Sequence, residues 1–228
     1  CRPGAAGRSI LRAARGGSRV PGDSGDAVSA WLIVVPAAPV LLPGIAVTTP
    51  SELEPVLAAC DEALQAVLSA DEIVIEAAHD HLRDRTPGGA STTGWAVADH
   101  LLDRVGYRGV RVRIHPGDPR PGEARLYVAD GSASVGPKAP RPNPEGQVWD
   151  AELAAALATG DSGALRGLDD GNAAAVGCTT ASVWRSLGTV LGPDWSGQSL
   201  TSWAPFGVTY WVAVWEQISG RPGIPDAR

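Results

Sequence analysis

Apolar residues recur along this chain with two different periods, and the changes of period mark its elements. Trp31-Leu32-Ile33-Val34-Val35 and Ile73-Val74-Ile75 are unbroken apolar runs, as expected for strands covered on both faces. Val110 to Ile114 alternates with Arg111 and Arg113, the pattern of a half-exposed strand. Leu126-Tyr127-Val128 predicts a further strand that ends at Asp130-Gly131-Ser132. Between the strands, apolar positions step by three and four. Leu53, Val56, Leu57, Cys60, Leu64, Val67 and Leu68 predict a helix over 51–69 with one apolar face. Ser51 and Glu54 stand at capping-box spacing, and Pro55 is tolerable because it falls near the helix start. Val97, Leu101, Leu102 and Val105 predict a second helix over 94–105. Segments 148–158 and 162–191 read as short alanine-rich helices, and 198–217 as strand, Pro-Phe-Gly turn, strand. Strands alternating with helices predict an α/β protein, a layered sandwich around a central, mostly parallel or mixed sheet.

The same pattern sets the boundaries. Residues 1–29 carry five arginines and no acid before Asp23, with Gly, Ser and Pro filling much of the rest. Such a segment buries too little apolar surface to offset its ordering entropy. It is read as a disordered arm, either an over-called start or vector-derived sequence, with a transit-like arm as the alternative. Residues 30–218 form the expected α/β domain, and 219–228 a flexible tail. A polar loop, 79–93, and a long loop with four prolines, 131–147, interrupt the domain, and loops as long as the second are usually functional or mobile.

Composition narrows the function classes. At 44% hydrophobic, 228 residues can build a real core. A net charge of -6 disfavours a phosphate-tracking surface, so no nucleic-acid partner is expected. No run is long and apolar enough for a membrane span. Three cysteines, none in a C-x-x-C pair, argue against a disulfide framework or a structural zinc site, and a cytoplasmic location is the simplest expectation. Cys60 lies on an apolar stripe and is expected in the core. Trp203, Trp211 and Trp215 fit a core, a pocket or an interface, with core expected for 208–215.

Candidate chemistry gathers in 72-EIVIEAAHDH-81. His79, Asp80 and His81 follow a buried strand, and ligands of open α/β sheets collect at the carboxyl ends of strands. Two imidazoles and a carboxylate can hold Fe(II) and leave positions open for substrate and oxygen. His79 and His81 are the candidate metal and catalytic residues; a polar loop with incidental histidines is the plain alternative. Glu76 is a candidate ligand or a partner of one, and Asp130, ending another strand, can reach the same rim. His100 is expected to pack on its helix and His115 to sit in a turn. No G-x-S-x-G elbow, P-loop or G-x-G-x-x-G fingerprint occurs.

Three stretches carry a resemblance: 32-LIVVPAAPVLLPG-44, then 127-YVADGSASVGPKAP-140 with 149-WDAELAAALATGD-161 behind it, and 203-WAPFGVTYWVAVW-215. Together they resemble the LigB-like class III extradiol ring-cleavage dioxygenases, across about residues 31–217. The Asp-Gly-Ser-Ala and Ala-Pro-Phe-Gly-Val-x-Tyr stretches are the most specific. The resemblance implies an α/β sandwich and non-haem Fe(II) held by two histidines and a glutamate, cleaving a catechol-type aromatic. It puts the first ligand histidine after the opening strand, where this chain has Pro36-Ala37-Ala38-Pro39. The second falls on Ala78-His79, and Glu216 is the nearest candidate for the late glutamate, by order only. Two readings follow: a LigB-like Fe(II) oxygenase with an incomplete ligand set, or a catalytically inactive relative that binds a small molecule or a protein. A metal-dependent hydrolase is the third. A small aromatic substrate and a homo-oligomer are compatible with either of the first two.

Overall fold

The computed structural model describes residues 8–12, 30–45, 50–78, 93–118 and 124–218. The chain builds one mixed sheet with helices on both faces. Its strands are β1 (Arg8–Arg12), β2 (Trp31–Val35), β3 (Glu72–Ala77), β4 (Val110–Ile114), β5 (Ala124–Val128), β6 (Trp195–Trp203) and β7 (Tyr210–Gln217), in the spatial order β1-β6-β7-β2-β5-β3-β4. Four neighbours, β2, β5, β3 and β4, run parallel; β7 runs antiparallel to β2, and β6 to β7. The layered α/β sandwich with a mixed sheet expected from the sequence is therefore what forms. Arg8–Arg12 departs from expectation: within the arm read as disordered, these five residues pair with β6 as an edge strand. The rest of that arm and the tail 219–228 lie outside the described residues.

Helices α1 (Glu54–Leu64) and α2 (Thr93–Arg104) cover one face. Val56, Cys60 and Leu64 of α1 and Val97, Leu101 and Leu102 of α2 pack there on Ile33, Val35, Ile73, Ile75, Leu126, Val128, Tyr210 and Val212. The second face carries α3 (Glu145–Thr159), α4 (Ser162–Arg166), α5 (Asp170–Ala175) and α6 (Ala181–Val190). Trp149, Leu153, Leu165, Val183, Trp184 and Leu187 meet Leu32, Val34, Tyr127, Trp211, Ala213 and Trp215 there. Alternate residues of each strand serve opposite faces, which is why the parallel strands read as unbroken apolar runs. Cys60 is wholly buried, and Trp211 and Trp215 are core, as expected.

Local chemistry sets the ends of the helices. Gly160 ends α3 in the left-handed conformation, the one glycine tolerates best. Asp161 and Asp169 then cap α4 and α5 by accepting from Ala164 and Asn172 N–H. The capping box expected at Ser51 and Glu54 does not form. The chain enters α1 through a 3-10 turn over Ser51–Leu53, and the Ser51 hydroxyl faces Glu52 instead. Edge strand β4 is tied to α2 by Arg111, which reaches Asp99 and Asp103, and by Arg113, which reaches Asp99. These pairs, in part solvent-exposed, contribute little individually. Among the described residues, no helix is long and apolar enough to cross a membrane.

The turn between β6 and β7 is fixed by Gly207. Its φ is +78°, and a Cβ there would run into the backbone of Ala139. Gly207→Ala should cost about 2–4 kcal/mol in urea unfolding, because strain and overlap add. Gly192→Ala, where no atom lies within 4 Å of the added carbon, should change stability by less than about 0.5 kcal/mol. Equal effects at the two sites would show that the contact with Ala139 is not a real constraint.

Candidate functional site

Strands β2 and β5 are parallel neighbours whose outgoing chains part. From β2 the chain goes to α1 on one face; from β5 it goes to α3 on the other. In open α/β sheets a divergence of this kind makes a crevice at the carboxyl ends of the strands, where ligands bind. Two hydrogen bonds link the chains there: Ala129 N–H donates to Val35 O at 2.9 Å, and the Ala37 N–H, just past β2, donates to Oδ1 of Asp130, just past β5, at 2.9 Å.

Asp130 is held from behind. Its carbonyl accepts from the Thr180 hydroxyl and the Trp184 indole N–H, both at 2.9 Å, and from the Cys178 thiol at 3.5 Å. Its own N–H donates to Thr180 Oγ1 at 3.0 Å. The start of α6 thus fixes the backbone while the side chain is left to the crevice. Among the described residues, Oδ2 accepts no hydrogen bond. Asp130 pairs across the strand extension with Tyr210, which lies on the same face. Burial raises the Asp130 pKa to about 7, opposed only by the Ala37 hydrogen bond. Burial, with Asp130 adding to it, pushes the Tyr210 phenol up as well.

A second buried carboxylate secures the frame. Asp150 of α3 accepts from the Ser132 N–H at 2.8 Å, from the Ser132 hydroxyl at 2.7 Å and from the Thr209 hydroxyl. Backbone bonds run alongside, Gly131 N–H to Thr209 O at 2.7 Å and Thr209 N–H to Ser132 O at 2.8 Å. The two stretches most distinctive in the sequence, Asp-Gly-Ser and Pro-Phe-Gly-Val-Thr-Tyr, are therefore paired with each other. Gly131 is needed for this closeness, since a Cβ would fall 2.6 Å from Asp150 Oδ1 and 2.7 Å from Trp211 Nε1.

The residues singled out from the sequence do not all converge. His79 and His81 lie outside the described residues. Glu76 is buried in β3 on the face opposite Asp130, against Ser186 of α6, and its Oε1 has no partner among the described residues. Glu216 pairs with Trp31 at the amino end of β2, whereas Glu76, three strands away on β3, pairs with Tyr127 near the carboxyl rim. Strand rise and spacing put their backbones roughly 17 Å apart, so the two glutamates cannot share one ion. Ala37, in the loop where the resemblance would place a ligand histidine, supplies only its backbone N–H. The described residues thus do not fit a three-ligand iron centre containing both Glu76 and Glu216. His115 follows β4 with its ring tilted by 36° to that of Trp95 and the centroids 4.6 Å apart, and its carbonyl accepts from the Asp118 N–H in a turn, as expected. His100 sits two turns into α2, where burial and then Arg104 lower its pKa. Thr180 and Trp184 were not foreseen as parts of the site; the only signal for it was Asp130-Gly131-Ser132 at a strand end.

No family model matches the chain, and no curated protein matches it with significant similarity.

Glu76 gives a pH test of the frame. Burial raises its pKa from 4.5 to about 7, against the Ser186 hydrogen bond and Arg125 and with Asp118 adding to the rise. A carboxyl with a raised folded-state pKa binds more protons folded than unfolded. Its stabilising contribution is complete below the unfolded value and is lost as pH rises through about 7. Between about pH 5 and about pH 8, Glu76→Gln should gain on wild type by up to about 3 kcal/mol in urea unfolding. A difference independent of pH would mean that Glu76 is solvated.

Proposed function

We propose that this chain is a LigB-like, class III extradiol dioxygenase-related protein that keeps a small-molecule site at the carboxyl rim of its sheet and lacks the three-ligand Fe(II) centre. The observation that carries this reading is the Ala37–Asp130 contact. Where the resemblance would put a metal-binding imidazole, a backbone N–H instead holds a carboxyl group, and that carboxyl keeps one oxygen open to the crevice. The pairing of the Asp-Gly-Ser and Gly-Val-Thr-Tyr stretches supports the resemblance, because it gives both of them one shared task in framing the rim. The work of the site on this reading is binding and orientation: Asp130 as acceptor or, when protonated, donor, and Tyr210 as its neighbour. The competing reading is an Fe(II) oxygenase in which His79 and His81 supply the ligands and a catechol is the substrate.

An anaerobic Fe(II) titration of the full chain, beside His79→Ala, separates them. The expected outcome is no stoichiometric binding at micromolar metal in either protein, and no oxygen uptake with catechol. Small aromatic compounds should nonetheless shift the amide resonances of Ala37 and Gly131. Stoichiometric iron that disappears in His79→Ala, together with oxygen uptake by wild type, would overturn the proposal in favour of the oxygenase.

A further inference from the structure

Resting on that reading of the rim, we infer that the ligand of the β2–β5 crevice is a small organic cation, an aromatic or alkyl amine whose ammonium group docks on the open oxygen of Asp130.

Asp130 differs from the acids that are paired or fully satisfied. Asp61, Asp99, Asp103 and Asp170 each face an arginine at 3.3 Å or less. Asp150, buried without a cation, is satisfied by three donors. Asp130 has one backbone donor on Oδ1, and among the described residues it has neither a donor on Oδ2 nor a basic side chain bonded to it. Asp130 is half-buried, and a carboxylate partly withdrawn from water without a cation is a costly arrangement until it is paired. A ligand that brings the missing positive charge relieves that cost and gains a charge-assisted hydrogen bond. An anionic ligand would add to it.

The surroundings suit an ammonium on an apolar body. Tyr210 stands across from Asp130 on the same face. Trp203 pairs with Tyr210, and Phe206 and Val208 follow in the turn between β6 and β7; all three are only partly buried on that face. Aromatic rings beside an ammonium add cation–π attraction, and the apolar surface takes the rest of the ligand. The clamp of Thr180 and Trp184 on the Asp130 backbone keeps the carboxyl in place before the ligand arrives, so little ordering is left to be done on binding.

The test compares three probes of one shape by titration calorimetry on the full chain: phenethylamine, phenethyl alcohol and phenylacetate. Wild type should bind phenethylamine at least about tenfold more tightly than phenethyl alcohol, and phenylacetate least. Asp130→Asn, its fold checked by circular dichroism, should bind the amine and the alcohol equally. Comparison of the probes on wild type stands even if the variant does not fold. Binding of the alcohol as tightly as the amine would overturn the cation assignment and leave the rim site standing. Binding of none of the three would overturn both.

Discussion

The Asp150 carboxylate is the constraint on which this architecture turns. Three donors converge on it from two distant parts of the chain, Ser132 after β5 and Thr209 before β7. A buried carboxylate is tolerated only when its lone pairs are met, and here they are met by locking α3 to both strand ends. Because Ser132 and Thr209 are thus side by side, the chain beyond β5 extends past the end of β2 and pairs with the start of β7. That extension carries Asp130 over the β2–β5 crevice, within reach of the Ala37 N–H. The candidate site is a consequence of the frame: without the extension, Asp130 would continue into solvent like any residue after a strand.

The crevice has a division of labour between backbone and side chain. The Asp130 backbone is fully engaged by Thr180, Trp184 and Cys178, whereas its carboxyl is held at one oxygen. Placing the group firmly while leaving it incompletely satisfied is the arrangement a binding site needs, since its interactions are then reserved for a ligand. Glu76 shows the contrast. It also has an unmet oxygen, but it is fully buried inside the packed second face, against Ser186. Its shifted protonation is a matter of stability. An α/β sandwich serves many chemistries, so the function rests on the crevice and not on the layers.

Much of the fold was legible in the sequence because it follows from side-chain periodicity. The unbroken run at 31–35, the arginine alternation at 110–114 and the three-four steps of 53–68 each name an element that the chain forms. Where local chemistry competed, the reading slipped. Pro55 and the 3-10 turn before it displaced the capping box at Ser51, and Arg8–Arg12 found a place on β6 through backbone bonds, which composition does not report. The site was less legible. Glu216 was a candidate by order only, and antiparallel β7 carries it to the amino end of the parallel strands. The Ala37 donor is a backbone group with no residue signature, and the convergence of residues 37, 130, 180 and 210 exists only through the crossing of the chain.

One half-buried carboxyl group, held at the strand ends by one backbone donor, carries the proposed site. Carbon-detected NMR of the aspartate side chains, followed against pH, tests this directly. The Asp130 carboxyl should titrate with a midpoint of about 7, and the Ala37 amide should shift with the same midpoint because it donates to that carboxyl. An Asp130 midpoint near the ordinary value of about 4, or an Ala37 amide indifferent to the titration, would contradict the crevice and the function built on it.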